Sequence, residues 1–345
     1  MTGFHIFIAL VPVVAFLAAL ALMDTFKLVP PSSILGAILW GALAAGAALG
    51  FHVWLLQVHH IPVGVVSRYI APLTEETGKG LLVVVLIATA RVGFLVDAAV
   101  LGFAIGTGFA LVENLSYLRT MPDAGVWLWV VRGLGTAVLQ GATTSIMAMM
   151  SNALADRRRD RLALAFVPGW ATAVVIHSVF NQRLLPPVAQ TLLLLIALPL
   201  IVLLVFAQSE RATREWIGAG MDLDVELLGL VESEHFAATH FGRYLQSLRA
   251  RMPGPVVADM FCLLRVELEL SIQAKAMLLA REAGLDLPVD DDLAISLAER
   301  RYLQQSIGRT GLLALKPLQV TTHKDEWHRH LLQQRGRRRP MPPRA

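Results

Sequence analysis

The amino-acid sequence predicts an all-α protein, a polytopic membrane helical bundle of about seven spans followed by a helical cytoplasmic domain. Of the 345 residues, 55% are apolar and only 16% are charged, which is too apolar for a single soluble domain. Residues 1–207 consist mostly of long apolar runs, whereas residues 208–345 hold most of the acidic residues. The single cysteine, Cys262, makes no intrachain disulfide and is compatible with a reducing compartment.

Apolar runs long enough for a transmembrane helix, about 20 residues, recur along the first part of the chain. The candidate spans are residues 4–22, 34–56, 70–90, 95–118, 126–153, 164–182 and 187–207. The first run could instead be a signal peptide, with Ala19-Leu20-Ala21 as its cleavage site. A signal peptide carries its basic residues before the apolar run, but here the first basic residue, Lys27, follows it. We therefore favour a first helix that is retained.

Basic residues predict the orientation of the spans, because short cytoplasmic loops are rich in lysine and arginine. The connection after the fifth span contains Arg157, Arg158, Arg159 and Arg161, so we place it in the cytoplasm. Counting spans from this loop puts the N-terminus outside and residues 208–345 in the cytoplasm. The protein is thus predicted to be a multi-pass protein of the cell membrane.

Polar side chains cluster toward the predicted outer end of four consecutive spans. A charged side chain at the centre of a membrane helix costs about 2.5–3.5 kcal/mol, so such residues indicate either the water interface or a polar site inside the bundle. Helical spacing lets Lys79 face both Glu75 and Glu76. Glu113 ends a helix stripe with Gly102 and Gly106, two small residues that let another helix approach closely. The clustered residues are Glu75, Glu76, Lys79, Glu113, Asn114, Arg132, His177 and Asn181. On the fifth span, a polar stripe that recurs every four residues adds Gln140; its members are Arg132, Thr136, Gln140 and Thr144.

The chemistry of these residues suits hydrolysis. One carboxylate can take a proton from water while a neighbouring group returns it. Carboxylates and an imidazole are also ligands for a divalent metal that keeps an open position for water. The chain contains neither a His-Glu-x-x-His nor a Gly-x-Ser-x-Gly motif.

The same residues resemble the motifs of PrsW-type intramembrane proteases over roughly residues 40–207. The segment Glu75-Glu76-Thr77-Gly78-Lys79 is similar to the EExxK motif of that family, and Phe109 to Asn114 is similar to its FAxxEN motif. Arg132 matches an arginine that opens the next helix, and His177 with Asn181 resembles a late HxxxN element.

The resemblance implies cleavage of a membrane protein near the outer membrane face, with cleavage of a membrane-bound anti-sigma factor as the best-known role. It implies that Glu75 and Glu76 activate water and that Lys79 orients them. Glu113 and His177 would complete the site, as candidate ligands of a divalent metal such as zinc. Asn114, Arg132, Gln140 and Asn181 are then candidates for substrate binding or support.

Other interpretations stay open at this point. The family commonly has a histidine two turns after the Arg132 position, and this chain has Gln140 there. That difference motivates a second hypothesis, a non-catalytic membrane scaffold or sensor derived from the protease fold. A carrier for ions or small solutes is a third hypothesis. Taken singly, Arg132 could extend to the lipid headgroups and His177 could be a packing residue.

The remainder of the chain is predicted to form a helical cytoplasmic domain, residues 208–333, and a basic disordered tail, residues 334–345. Helical periodicity occurs near 224–250, 255–283 and 290–308. The expected partners of the whole protein are a membrane protein substrate and the lipid bilayer. Nucleic-acid binding by the basic tail is the weaker alternative to contact with anionic lipid. The sequence does not predict an oligomeric state.

Overall fold

The computed structural model describes residues 3–24, 26, 29–157, 162–285 and 291–315. In this part of the chain helices are joined by turns and there is no strand, which confirms the all-α class. The chain forms two compact units, Met1–Glu210 and Arg211–Ala345, each with an apolar core. The predicted domain limits stay predictions. The basic tail, Lys27 and the arginines at 158, 159 and 161 lie outside the described residues.

Each predicted span of the first unit lies on a helical segment. Two π-helical turns, Val66–Ile70 and Val131–Thr136, lead directly into α4 and α7. The α-helices are α1 (Gly3–Met23), α2 (Pro31–Val58), α3 (Val63–Val65), α4 (Ala71–Ala88), α5 (Leu95–Thr120), α6 (Val126–Val130), α7 (Ala137–Arg157), α8 (Leu162–Asn181) and α9 (Pro187–Glu232).

Four helical segments of the described chain are long and apolar enough to cross a membrane: Gly3–Met23, Pro31–Val58, Leu95–Thr120 and Leu164–Asn181. The chain is therefore a membrane protein, while the count of seven spans stays a prediction. Helix α4 has the length of a span, but it carries three ionisable side chains in 18 residues. These three side chains, Glu75, Glu76 and Lys79, lower the mean hydropathy of α4 although they are buried inside the bundle.

Helix α5 lies at the centre of the membrane unit. Of the residues in its most apolar stretch, 83% are buried, against 17–22% in the other three apolar segments. Those three segments turn most of their apolar side chains outward, where lipid would surround them. Helices α2 and α7 pack against α5. A Cβ atom on Gly106 would lie 2.1 Å from the carbonyl oxygen of Gln140, and one on Gly102 would lie 2.7 Å from that of Thr144. The close helix approach predicted for these two glycines is therefore made with α7.

In the second unit, a 3-10 turn (Phe236–Ala238) precedes α10 (His240–Leu248), α11 (Gly254–Glu282) and α12 (Asp291–Leu315). Helices α11 and α12 agree with two of the predicted helices. The predicted helix near 224–250 is wrong as a single element, since α9 ends at Glu232 and α10 begins at His240. The Thr239 hydroxyl accepts a hydrogen bond from the backbone N–H of Gly242, so it caps a new helix start there.

Candidate active site

The deepest part of the candidate site is a buried ion pair on α4. Glu76 and Lys79 are both completely buried, and Lys79 Nζ donates to Glu76 Oε1 over 2.7 Å. The same oxygen accepts from Thr143 Oγ1 at 3.0 Å and contacts His177 Nδ1 at 2.8 Å. Because a carboxylate paired with an ammonium can only accept, the hydrogen of this last bond belongs to Nδ1. Glu76 therefore joins α4, α7 and α8.

The side chain of Gln140, on α7, lies between Glu75 and Glu113. Its Oε1 accepts from Lys79 Nζ at 2.5 Å. Its Nε2 donates to Glu75 Oε2 at 3.0 Å and to Glu113 Oε2 at 3.2 Å. An ammonium group only donates, so the contact with Lys79 fixes which end of the amide is oxygen. Gln140 thereby joins three of the ionisable groups that the sequence predicts for the site.

Arg132 holds the remaining carboxylate. Its Nη2 donates to Glu113 Oε1 and its Nε donates to Asn114 Oδ1, each over 2.9 Å. The guanidinium also lies 3.5 Å from the ring centroid of Tyr117, and the arginine is buried rather than extended toward lipid headgroups. Asn114 in turn donates to the carbonyl oxygen of Ala9 in α1 over 2.7 Å. Arg132 therefore holds Glu113 from the π-helical turn Val131–Thr136, and Asn114 ties the neighbouring part of α5 to α1.

The π-helical turn Val131–Thr136 explains how Arg132 and Gln140 reach the same carboxylate. In a regular α-helix, residues eight apart differ by about 80° in direction. A π-turn inserts one extra residue into the turn, which reduces that difference. Arg132 and Gln140 consequently contact opposite oxygens of Glu113.

Two residues that the sequence analysis did not select lie in the cluster. Thr143 donates to Glu76, whereas Thr144 of the predicted polar stripe donates back to the carbonyl oxygen of Gln140. His52 of α2 has Nδ1 4.0 Å from Glu75 Oε1 and Nε2 2.8 Å from Thr74 Oγ1. His52 could have been selected from the sequence, because it is an ionisable side chain inside a predicted span, which is the criterion that selected the glutamates. The signal for Thr143 was its position three residues after Gln140.

Asn181 makes a different contact from the other predicted site residues. Its amide donates to the carbonyl oxygen of Ser67 over 2.8 Å, and the neighbouring Ser178 hydroxyl donates to that of Arg68 over 2.6 Å. Both acceptors belong to the π-helical turn Val66–Ile70, which precedes α4. Asn181 therefore ties α8 to the start of α4.

The donor set of this cluster does not fit the expected divalent metal. Among the described residues, no group of three or more His, Cys, Asp and Glu side chains is arranged to hold a metal ion. Oxygens of Glu75 and Glu113 accept N–H groups of Gln140, and Oε1 of Glu76 already has three partners. Within the described chain, Glu76 Oε2 is buried without a hydrogen-bond partner. A cation at this oxygen would be repelled by the Lys79 ammonium, which is bound to the same carboxylate.

Exposure divides the cluster into a deep side and an accessible side. The side chains of Glu76 and Lys79 are 0% exposed, whereas those of Glu75, His52 and Glu113 are 10%, 13% and 23% exposed. His177 Nε2 lies 3.9 Å from Glu75 Oε2, since its other nitrogen is held by Glu76. Water or substrate would therefore meet Glu75 before Glu76.

Comparison with known proteins supports a family assignment for the membrane unit. A family model described as PrsW family intramembrane metalloprotease matches residues 29–207, which is more than half of the chain. This range contains α2 to α8 and every residue of the cluster described above. No curated protein and no solved structure matches the chain.

Proposed function

The chain belongs to the PrsW family of intramembrane metalloproteases, and from this premise we propose that it hydrolyses a peptide bond of a membrane protein near the outer membrane face, with Glu75 as the general base. The family resemblance favours a regulatory substrate of the membrane-bound anti-sigma-factor type.

The unequal burial of the two adjacent glutamates carries the assignment of roles. Glu76 is enclosed and bound by Lys79, Thr143 and His177, so its charge is already stabilised by the protein. Glu75 is the more exposed of the pair and accepts a hydrogen bond from the neutral amide of Gln140. A general base needs a carboxylate that water can reach, which favours Glu75.

In the proposed reaction, water binds between His177 Nε2 and Glu75 Oε2. The 3.9 Å between these atoms is too long for a direct hydrogen bond, and a water molecule can bridge such a gap. Glu75 takes a proton as the water oxygen attacks the carbonyl carbon of the scissile bond. The carbon–nitrogen bond then breaks, and Glu75 returns the proton to the leaving nitrogen.

The other members of the cluster position these groups. Glu76 orients the imidazole of His177 through Nδ1, and Lys79 keeps Glu76 anionic in a buried setting. Arg132 and Asn114 hold Glu113 on the accessible side, where it can contact the substrate. Asn181 supports the site from outside the cluster, through the turn before α4.

Reconstitution of the purified protein with a candidate single-span substrate tests the proposal. Glu75→Gln removes the base and keeps the side-chain shape, so we expect cleavage to fall by about 10²–10⁴-fold. Glu226→Gln, the same substitution on an exposed residue of the second unit, should leave cleavage unchanged. Unchanged cleavage by the double variant Glu75→Gln, Glu76→Gln would refute the proposal.

A non-catalytic scaffold or sensor is the second candidate function, and Gln140 is the residue that favours it. The amide occupies the position between Glu75 and Glu113 where the family resemblance leads us to expect a histidine. Wild-type turnover of any single-span substrate that is lost in Glu75→Gln would exclude this candidate.

A further inference from the structure

We propose that Gln140, together with Lys79, does in this chain what a bound metal ion would do, which is to hold Glu75 and Glu113 together around the reacting water. This inference deepens the proposed function and rests on it. Gln140 is accordingly a positioning residue, and the site works without a resident metal.

Two carboxylates that face each other in a buried site repel strongly, because the local dielectric constant is low. A divalent cation would overcome that repulsion by binding both. Here the two N–H groups of a single amide serve both carboxylates, at 3.0 Å from Glu75 and 3.2 Å from Glu113. Gln140 therefore supplies the positive end of a dipole at the point where the negative charges converge.

Lys79 strengthens this dipole from the other end. Its ammonium donates to the amide oxygen of Gln140 and lies 2.7 Å from Glu76. Hydrogen bonds in a chain polarise one another, so the ammonium makes the amide N–H groups better donors. Lys79 pairs with Glu76 and Arg132 pairs with Glu113, whereas Glu75 accepts a hydrogen bond from the amide of Gln140.

The backbone prevents Gln140 from withdrawing. Gly106 of α5 faces the main chain of α7 so closely that a Cβ at this position would lie 2.1 Å from the Gln140 carbonyl oxygen. Gln140 itself is 1% exposed. The distance between α5, which carries Glu113, and the amide of α7 is thus set by close helix contact.

The same arrangement opposes metal binding. A cation bound to Glu75 and Glu113 would have to displace both N–H groups of Gln140, and the amide oxygen, its only ligating atom, is already bonded to Lys79. Histidine at position 140 would reverse this, since an imidazole offers a lone pair beside two carboxylates and His177.

Metal analysis of the full-length protein in detergent, purified without a metal-affinity tag and equilibrated with Zn²⁺ or Co²⁺, is the first test. We expect the wild type to hold far less than one ion per chain after desalting, and Gln140→His to hold about one, with a Co²⁺ absorption spectrum typical of nitrogen and oxygen ligands. A wild type that retains one ion per chain, lost in Glu113→Gln, would overturn the inference. This outcome requires no substrate, so it is independent of the proposed function.

Cleavage kinetics provide the second test. Gln140→Met keeps the length of the side chain and removes its hydrogen bonds, so we expect kcat to fall about 10²-fold with little change in KM, because the carboxylates lose their alignment. Gln190→Met is the matched control on α9, outside the cluster. Wild-type cleavage should resist a chelator. Cleavage that stops with chelator and returns with Zn²⁺ would overturn the inference and leave the protease function standing.

Discussion

The ammonium group of Lys79 is completely buried and pairs with Glu76, so its removal should be costly. Lys79→Met leaves Glu76 as a buried charge without its cation, a loss that typically costs about 3–5 kcal/mol. We expect a clear fall in the thermal unfolding temperature in detergent and no measurable cleavage.

A second substitution separates the lost ion pair from lost packing. In the double variant Glu76→Gln, Lys79→Met neither charge is present, so the stability should recover part of the loss. The contrary result is simple additivity: the double variant would be less stable than Lys79→Met by the whole loss in unfolding free energy that Glu76→Gln causes alone. That result would show that the two side chains are not coupled.

Arg132 should not tolerate replacement by lysine. Its guanidinium reaches Glu113 with Nη2 and Asn114 with Nε, a forked contact that a single ammonium cannot reproduce. Loss of one hydrogen bond to a charged group corresponds to about 1.5–3 kcal/mol, so Arg132→Lys should lower kcat/KM about 10–100-fold. Arg68→Lys, on an exposed arginine, is the control, and equal effects of the two substitutions would contradict the role given to Arg132.

The residues of the cluster differ in how far the sequence could place them. Glu76 and Lys79 are three residues apart on one helix, so their contact follows from helix geometry alone. The contact of Gln140 with Glu75 joins positions 65 residues apart and depends on how α4 and α7 pack. Asn181 was grouped with His177 because both lie on one face of α8. That face is broad enough for one side chain to contact Glu76 and the other Ser67.

Two elements of the site could not be predicted from the pattern of residues. The π-helical turns Val66–Ile70 and Val131–Thr136 each precede a helix that carries site residues, and each changes the direction of the side chains that follow. Spacing rules assume a constant helical period, so they assigned Thr144 rather than Thr143 to the polar stripe. A close helix approach to α5 was predictable, because small residues four apart permit it, but the identity of the partner, α7, comes from the structure.

Gly106 tests this helix contact directly. A methyl group at this position would lie 2.1 Å from the carbonyl oxygen of Gln140, so Gly106→Ala must push α5 and α7 apart. We expect a loss of about 1–3 kcal/mol in stability and a larger fall in cleavage, because Gln140 moves away from Glu113.

The control for this prediction is another helical glycine. A Cβ on Gly46 of α2 would meet no atom within 4 Å, so Gly46→Ala should leave cleavage unchanged and raise stability by up to about 1 kcal/mol through helix propensity. A Gly106→Ala variant as stable and active as Gly46→Ala would refute the close contact.

At the level of the whole molecule, hydropathy located the helices, whereas the number of membrane spans stays a prediction. Apolar runs of about 20 residues coincide with α1, α2 and α5, because lipid and protein interior both require apolar side chains there. Helix α4 is different, since its three ionisable side chains are satisfied by α7 and α8 rather than by water. The composition of one helix does not reveal the hydrogen-bond partners that other helices supply.

The predicted orientation places the loop between α8 and α9 outside and the second unit in the cytoplasm. The single native cysteine makes this testable, because Cys262→Ser gives a background without reactive thiols. Leu184→Cys would introduce a thiol in the loop, where Leu184 is 72% exposed, and Ser247→Cys would introduce one on an exposed position of α10.

A membrane-impermeant maleimide should label Leu184→Cys in intact cells and should label Ser247→Cys only after the membrane is opened. This result follows from the arginine-rich connection after α7, because basic loops stay in the cytoplasm and each later span reverses the side. The reverse pattern would put the candidate site near the cytoplasmic face, since His177 lies close to the end of α8 that leads into this loop. The orientation thus decides from which side of the membrane a substrate would reach Glu75.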